Sequence, residues 1–95
     1  MTDIFLLTKP PGASRSNLCF RLMEYSQNAD LWLAGDGVYH LLNLSDLPVQ
    51  VEKIEACRED ILARGLEPVE GVVGPDFFDR FVKAMMENSE KVYVF

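Results

Sequence analysis

Apolar residues run through this chain in short stretches whose period changes from one stretch to the next. Ile4-Phe5-Leu6-Leu7 is unbroken and is followed by Thr8-Lys9-Pro10-Pro11-Gly12. It predicts a strand buried on both faces, then a loop that the two prolines keep from being helical. After Ser14 and Ser16, each able to cap a helix, Leu18, Cys19, Leu22 and Met23 take a helical spacing up to Asn28, which predicts a helix with one apolar face. Leu31-Trp32-Leu33-Ala34 predicts a second buried strand, stopped by Gly35-Asp36-Gly37, where glycine permits a sharp turn. Val38, Leu41 and Leu42 suit a short helix and Asn43 to Pro48 a loop, while Val49-Gln50-Val51-Glu52-Lys53-Ile54 alternates as a third strand with one polar face.

The second half repeats the alternation of strand and helix. Arg58 to Arg64 predicts a brief helix closed by Gly65, with the Arg64 cation in its last turn. Val69 to Val73 reads as a short fourth strand. Pro75 takes the first helical position of a helix with Phe77, Phe78, Phe81, Val82, Met85 and Met86 on one side, and Val92 to Phe95 is a last strand. Strands separated by helical segments imply βαβ crossovers. The expected fold class is therefore α/β: one domain over residues 1–95, a small three-layer sandwich around a mainly parallel sheet of four or five strands. Ile4–Leu7, Leu31–Ala34 and Val51–Ile54 should be neighbours in it.

Composition narrows the function classes. At 95 residues, 48% hydrophobic and 25% charged, the chain has the profile of a single globular domain rather than of a disordered one. Fifteen acidic residues against nine basic ones give a net charge of −6, and the basic residues are dispersed, so nucleic-acid phosphates would meet repulsion and no direct nucleic-acid binding is expected. Two cysteines without a CxxC pair exclude a disulfide scaffold and a zinc site, and fit a reducing cytosol. Met1-Thr2-Asp3 runs into only four apolar residues, so neither a signal peptide nor a membrane span is expected.

In parallel sheets, ligands and reactive groups gather at the carboxyl ends of the strands, where Thr8 to Asn17, Gly35 to His40 and Glu55 to Glu59 should meet. Cys57 stands where the third strand gives way to its helix, and unpaired backbone N–H groups there favour a thiolate. Arg58 adds to that effect, whereas Glu59 and Asp60 oppose a second negative charge. The bland reading of Cys57 is a small hydrophobe that packs, and it is stronger for Cys19, which lies among Leu18, Leu22 and Met23. A Cys19–Cys57 disulfide is open on sequence, although a reducing compartment argues against it. Asp36 and His40, four apart, invite a metal or acid/base reading, against which stands a solvated cap and a surface or interface histidine. Gly35-Asp36-Gly37 lacks the third glycine of the dinucleotide fingerprint, and a flavin phosphate on the Thr8 to Asn17 loop rests on fold analogy alone.

Gly35-Asp36-Gly37-Val38-Tyr39 after an apolar strand, then Glu59-Asp60-Ile61-Leu62-Ala63-Arg64-Gly65 after the next, then Pro75-Asp76-Phe77-Phe78-Asp79-Arg80-Phe81-Val82, together resemble the DsrH/TusB family of sulfur-relay subunits across nearly the whole chain. The resemblance implies a parallel-sheet fold, no cofactor, and association with DsrE/TusD-like and DsrF/TusC-like subunits, or with itself, in a complex that passes persulfide sulfur from donor to acceptor proteins. In relatives that sulfur serves tRNA thiolation or dissimilatory sulfur metabolism. The position matching Cys57 is often aliphatic in TusB chains. Its spacing of six residues to Arg64-Gly65 is similar to the segment around the sulfur-accepting cysteine of DsrE/TusD subunits, which follow that cysteine with small neutral residues instead of Arg58-Glu59-Asp60.

Two function classes compete on this basis. In the first, a sulfurtransferase subunit, Cys57 accepts sulfur and Arg58 and the loop residues Asp36, Gly37 and Tyr39 line the site or meet a partner. In the second, a non-catalytic assembly subunit, Cys57 only packs and Gly35 to His40 shapes a partner's site. A flavin- or nucleotide-binding module is a distant third. Cys57 is expected to be partly accessible near Gly35 to Tyr39. Self-association is expected because Tyr39, Phe77, Phe78 and Tyr93 exceed what so small a core covers.

Overall fold

A computed structural model of the chain describes residues 2–48, 51–69, 71–74, 76–87 and 89–95. Strands β1 (Thr2–Leu7), β2 (Ala29–Leu33), β3 (Val51–Cys57), β4 (Val73–Gly74) and β5 (Ser89–Val94) form one sheet in the order β4-β3-β2-β1-β5, and every pair is parallel. Helices α1 (Ser14–Glu24), α2 (Arg58–Ala63) and α3 (Phe77–Glu87) and a 3-10 segment over Gly35–Asp46 connect them. The α/β sandwich is as expected, with β1, β2 and β3 adjacent.

The strand order explains the layers. Three crossovers step the chain from β1 to β4 in one direction, and the fourth carries it back across the sheet to β5. Right-handed connections therefore place α3 alone on one face and the other helical segments on the opposite face. The packing agrees: Phe5, Leu7, Leu31, Leu33 and Ala56 share a core with Cys19 and Met23 of α1, Val38 and Leu41 of the 3-10 segment, and Ile61 of α2. Ile4, Trp32, Ala34 and Cys57 share a second core with Phe77 and Phe81 of α3. Both arise from strand alternation, because neighbours along a strand point to opposite faces. Full burial of one such large apolar side chain stabilises the fold by about 1.5–3 kcal/mol.

Helix α2 ends as its sequence predicts. Gly65, at φ +69, lets the Gly65 N–H donate to the Leu62 carbonyl and the Leu66 N–H to the Ile61 carbonyl, both at 3.1 Å. Leu66 packs on the core that holds Ile61, which completes a Schellman ending.

Other boundaries move. Helix α1 stops at Glu24, short of Asn28, because the Ser26 hydroxyl shares its one hydrogen between Asp3 Oδ2, at 2.8 Å, and the Asn28 carbonyl, at 2.9 Å, and draws the chain early into β2. Neither serine caps α1: Ala13 holds the N-cap position, and Ser16 turns inward. The 3-10 segment runs through the expected loop to Asp46, with a break at Asn43 (φ −145, ψ 66). Strand β3 continues past Ile54 to Cys57, with Ala56 and Cys57 entering opposite cores.

In α3 the six apolar residues do not share one side. Phe77 and Phe81 are buried, whereas Phe78, Val82 and Met86 are exposed, because Phe78, Val82 and Met86 are each one residue, about 100° of helical turn, beyond an inward position. The expected roles of Pro75, Val49, Gln50 and Glu70 lie outside the described residues. Among the described residues no helix is long and apolar enough to cross a membrane.

Candidate functional site

Cys57 closes β3 and stands at the N-cap of α2 (φ −73, ψ 115), as the sequence predicts, but its thiol makes no capping hydrogen bond. It lies on the floor of a cavity of about 410 Å³ whose walls are Arg58 and Glu59 of α2, Gly74 of β4 and Asp76, Phe77, Phe78 and Asp79 at the start of α3. Asp76 enters α3 at a left-handed φ of +55, a conformation that aspartate tolerates better than most residues, and its carbonyl accepts the Arg80 N–H at 3.0 Å.

Of two sequence expectations for Cys57, accessibility fails and nearness to the Gly35 to Tyr39 loop holds in part. Only 4% of the residue is exposed, because Phe77 and the sheet close over it. The alternation of β3 puts Cys57 on the α3 face beside Ala34 while Val38 of the 3-10 segment packs in the opposite core, so Cys57 meets only the Gly35 end of that turn, through the Asp60 carboxylate. Burial pushes the thiol up. The Asp60 and Glu59 backbone N–H groups favour the thiolate, whereas the Asp60 carboxylate opposes it, both as an acceptor for the thiol proton and as a like charge.

Asp60 also ties α2 to the glycine turn. Its carboxylate accepts the Gly35 N–H at 2.8 Å, Arg64 lies 3.6 Å from it, and Arg64 also pairs with exposed Asp36 at 3.0 Å. Gly37 is required by close approach: a Cβ there would overlap the Leu7 carbonyl. Tyr39 is half-buried and Arg58 exposed. Thus Arg58 reaches the Cys57 cavity, while Asp36, Gly37 and Tyr39 belong to the turn on the other side of α2.

The expected meeting of Thr8 to Asn17 with Gly35 to His40 does occur, in a form the sequence did not suggest. His40 is buried, and its Nε2 lies 3.0 Å from the Lys9 carbonyl and 3.3 Å from Ser16 Oγ. A carbonyl only accepts, so Nε2 carries the hydrogen. Ser16 Oγ lies 3.0 and 2.8 Å from the Lys9 and Pro10 carbonyls as a donor, and the Thr8 hydroxyl donates to the Phe95 carbonyl at 2.7 Å. Those hydroxyls hold the loop instead of offering themselves to a phosphate. Asp36 pairs with Arg64 and His40 with the loop, so the two share no partner, and the surface reading of His40 is overturned. Desolvation lowers the His40 pKa.

Cys19 is sealed in the first core, with its thiol 3.9 Å from the Met23 sulfur and pushed up to about 12 by burial. Both cysteines are free and lie in different cores, which removes a disulfide between them. One cluster escaped sequence reading. Glu55, buried in β3, pairs with Arg80 at 2.8 Å and Lys53 at 3.4 Å, and both cations approach the Trp32 ring, at 5.8 and 5.7 Å from its centre. The Arg80 guanidinium rests where Gly74 lacks a side chain; a Cβ there would come within 2.7 Å of it. Only the i, i+2 spacing of Lys53 and Glu55 was visible beforehand. Compared with models of known protein families and with curated proteins, the chain matches none.

Proposed function

We propose that this chain is a subunit of an intracellular persulfide-relay assembly and that Cys57 is its sulfur-accepting position, in service of tRNA thiolation or sulfur metabolism. The observation that carries this reading is the seat of Cys57: a strand's carboxyl end, at a helix start whose N–H groups favour a thiolate, on the floor of a cavity. The three motifs that resemble DsrH/TusB chains support it, as does the spacing from Cys57 to Arg64-Gly65, which is similar to that around the sulfur-accepting cysteine of DsrE/TusD subunits. In the step itself, the Cys57 thiolate attacks the outer sulfur of a donor persulfide, the donor S–S bond breaks, and the donor leaves as a thiolate. The new persulfide then passes to an acceptor cysteine by the same exchange. The chain supplies position and a desolvated site rather than a catalytic triad.

A second reading, a non-catalytic assembly subunit, is favoured by the near-complete burial of Cys57 and by its raised pKa, since only the thiolate attacks. Incubation with a persulfide donor followed by intact-mass measurement separates the two. Transfer gives a mass gain of one sulfur that Cys57→Ser abolishes without unfolding the domain. A chain that stays at its original mass supports assembly alone.

A further inference from the structure

The part of α3 that closes over Cys57 is its first turn, and that turn is tied to the sheet by an ion pair. Phe77 packs in the same core as Cys57, and Arg80 stands three residues further on, on nearly the same side of the helix. Gly74 of β4 is the register partner of Cys57, so both face α3. The Arg80 guanidinium lies over Gly74: a Cβ there would come within 2.7, 3.1 and 3.5 Å of Arg80 Nη2, Cζ and Nη1. Arg80 Nη1 also meets Glu55 Oε2 at 2.8 Å, and Glu55, two residues before Cys57, shares its face of β3. The guanidinium therefore rests one strand over from Cys57. It is gripped by a buried carboxylate, while the Arg80 side chain keeps 34% of its surface in solvent.

We propose that the first turn of α3 is a gate over Cys57 and that Arg80 is its latch, released from Glu55 and Gly74 before sulfur is exchanged. The proposal rests on the reading of Cys57 as sulfur acceptor, because a donor must then reach a thiol that the closed fold buries. Three observations single out this turn as the part that moves. The cavity that ends at Cys57 is walled on this side by Asp76, Phe77, Phe78 and Asp79, so lifting the turn widens an opening that already exists. A cation with one edge in water can exchange its carboxylate for hydration, an exchange that buried apolar cover does not offer. Further along α3, Phe81, Ala84 and Met85 pack in the core that holds Ile4 and Leu6, and they keep the rest of the helix on the sheet while its start moves. Arg80 is thus a positioning residue, acting on Cys57 through the placement of Phe77.

The test is timed alkylation of both cysteines in the full chain with iodoacetamide, resolved by peptide and repeated at urea concentrations below the unfolding transition. Cys57 should react through a local opening, so its rate should rise with urea less steeply than that of Cys19, which needs global unfolding. Arg80→Ala and Glu55→Gln should each raise the Cys57 rate by about tenfold or more, beyond any rise at Cys19, and the double variant should add little because both remove one latch. The common direction is decisive. Removing a cation disfavours the thiolate and removing a carboxylate favours it, so electrostatics alone would send the two rates opposite ways. Opposite shifts, indifference to both substitutions, or the same urea dependence for both cysteines would overturn the gate. Persulfide loading is read separately on the same variants: fast alkylation of Cys57 without sulfur uptake would uphold the gate and overturn the acceptor reading instead.

Discussion

Each face of the sheet holds one free cysteine, and the two differ in what covers them. Cys19 lies in the core that β1, β2 and β3 build with α1, the 3-10 segment and α2, and burial alone pushes its thiol up to about 12. Cys57 is almost as buried, but under one helix and beside a cavity, and backbone N–H groups partly offset its desolvation. Relative exposure hardly distinguishes the two. The number of elements over each cysteine, and the dipoles facing its sulfur, decide which could react.

The largest effect should come from the helix that covers Cys57. Phe81→Ala removes a buried ring and should cost about 3–5 kcal/mol in urea unfolding, whereas Phe78→Ala, one face-turn away and exposed, should stay within about 0.5 kcal/mol. Equal losses would place the two phenylalanines on one side of α3 after all. On the opposite face, Gly37→Ala forces a methyl into the Leu7 carbonyl and should cost about 1–3 kcal/mol by the same measurement.

Acid should test the His40 anchor. Its folded pKa is lowered by burial, so below the ordinary histidine value near 6.5 the unfolded chain takes up a proton that the folded chain refuses. The stability contributed by neutral His40 is whole above that value and is lost as pH falls toward the lower folded one. His40→Gln should flatten the acid limb of a stability–pH curve, and an unchanged limb would remove His40 as its cause. Both thiols are raised, so their contribution is present below an ordinary thiol pKa and is lost at alkaline pH.

Much of this was legible because it is local. The apolar runs 4–7 and 31–34, the glycine that ends α2 and the place of Cys57 at a strand–helix junction are written in neighbouring residues. What escaped depends on residues far apart in the chain. The Ser16–His40 link joins α1 to the 3-10 segment, and the Glu55–Arg80 pair joins β3 to α3; neither leaves a periodic trace. The face on which Cys57 lies hung on strand parity carried three residues past the expected end of β3. The split of the α3 stripe into buried and exposed positions required knowing that one helix alone covers that face.

The smallest expected effect concerns tuning rather than access. Asp60→Asn keeps an acceptor for the Gly35 N–H but removes the carboxylate charge beside Cys57, and should speed alkylation of Cys57 by about a few-fold. Alkylation of Cys19 should not change.

The most direct measurement is peptide-resolved mass spectrometry of the native chain after a timed exposure to a persulfide donor, following both cysteines in the same molecule. The account predicts an added sulfur on the Cys57 peptide while the Cys19 peptide stays unmodified until the domain is unfolded. Sulfur on Cys19 in the native chain, or on neither cysteine, would contradict it.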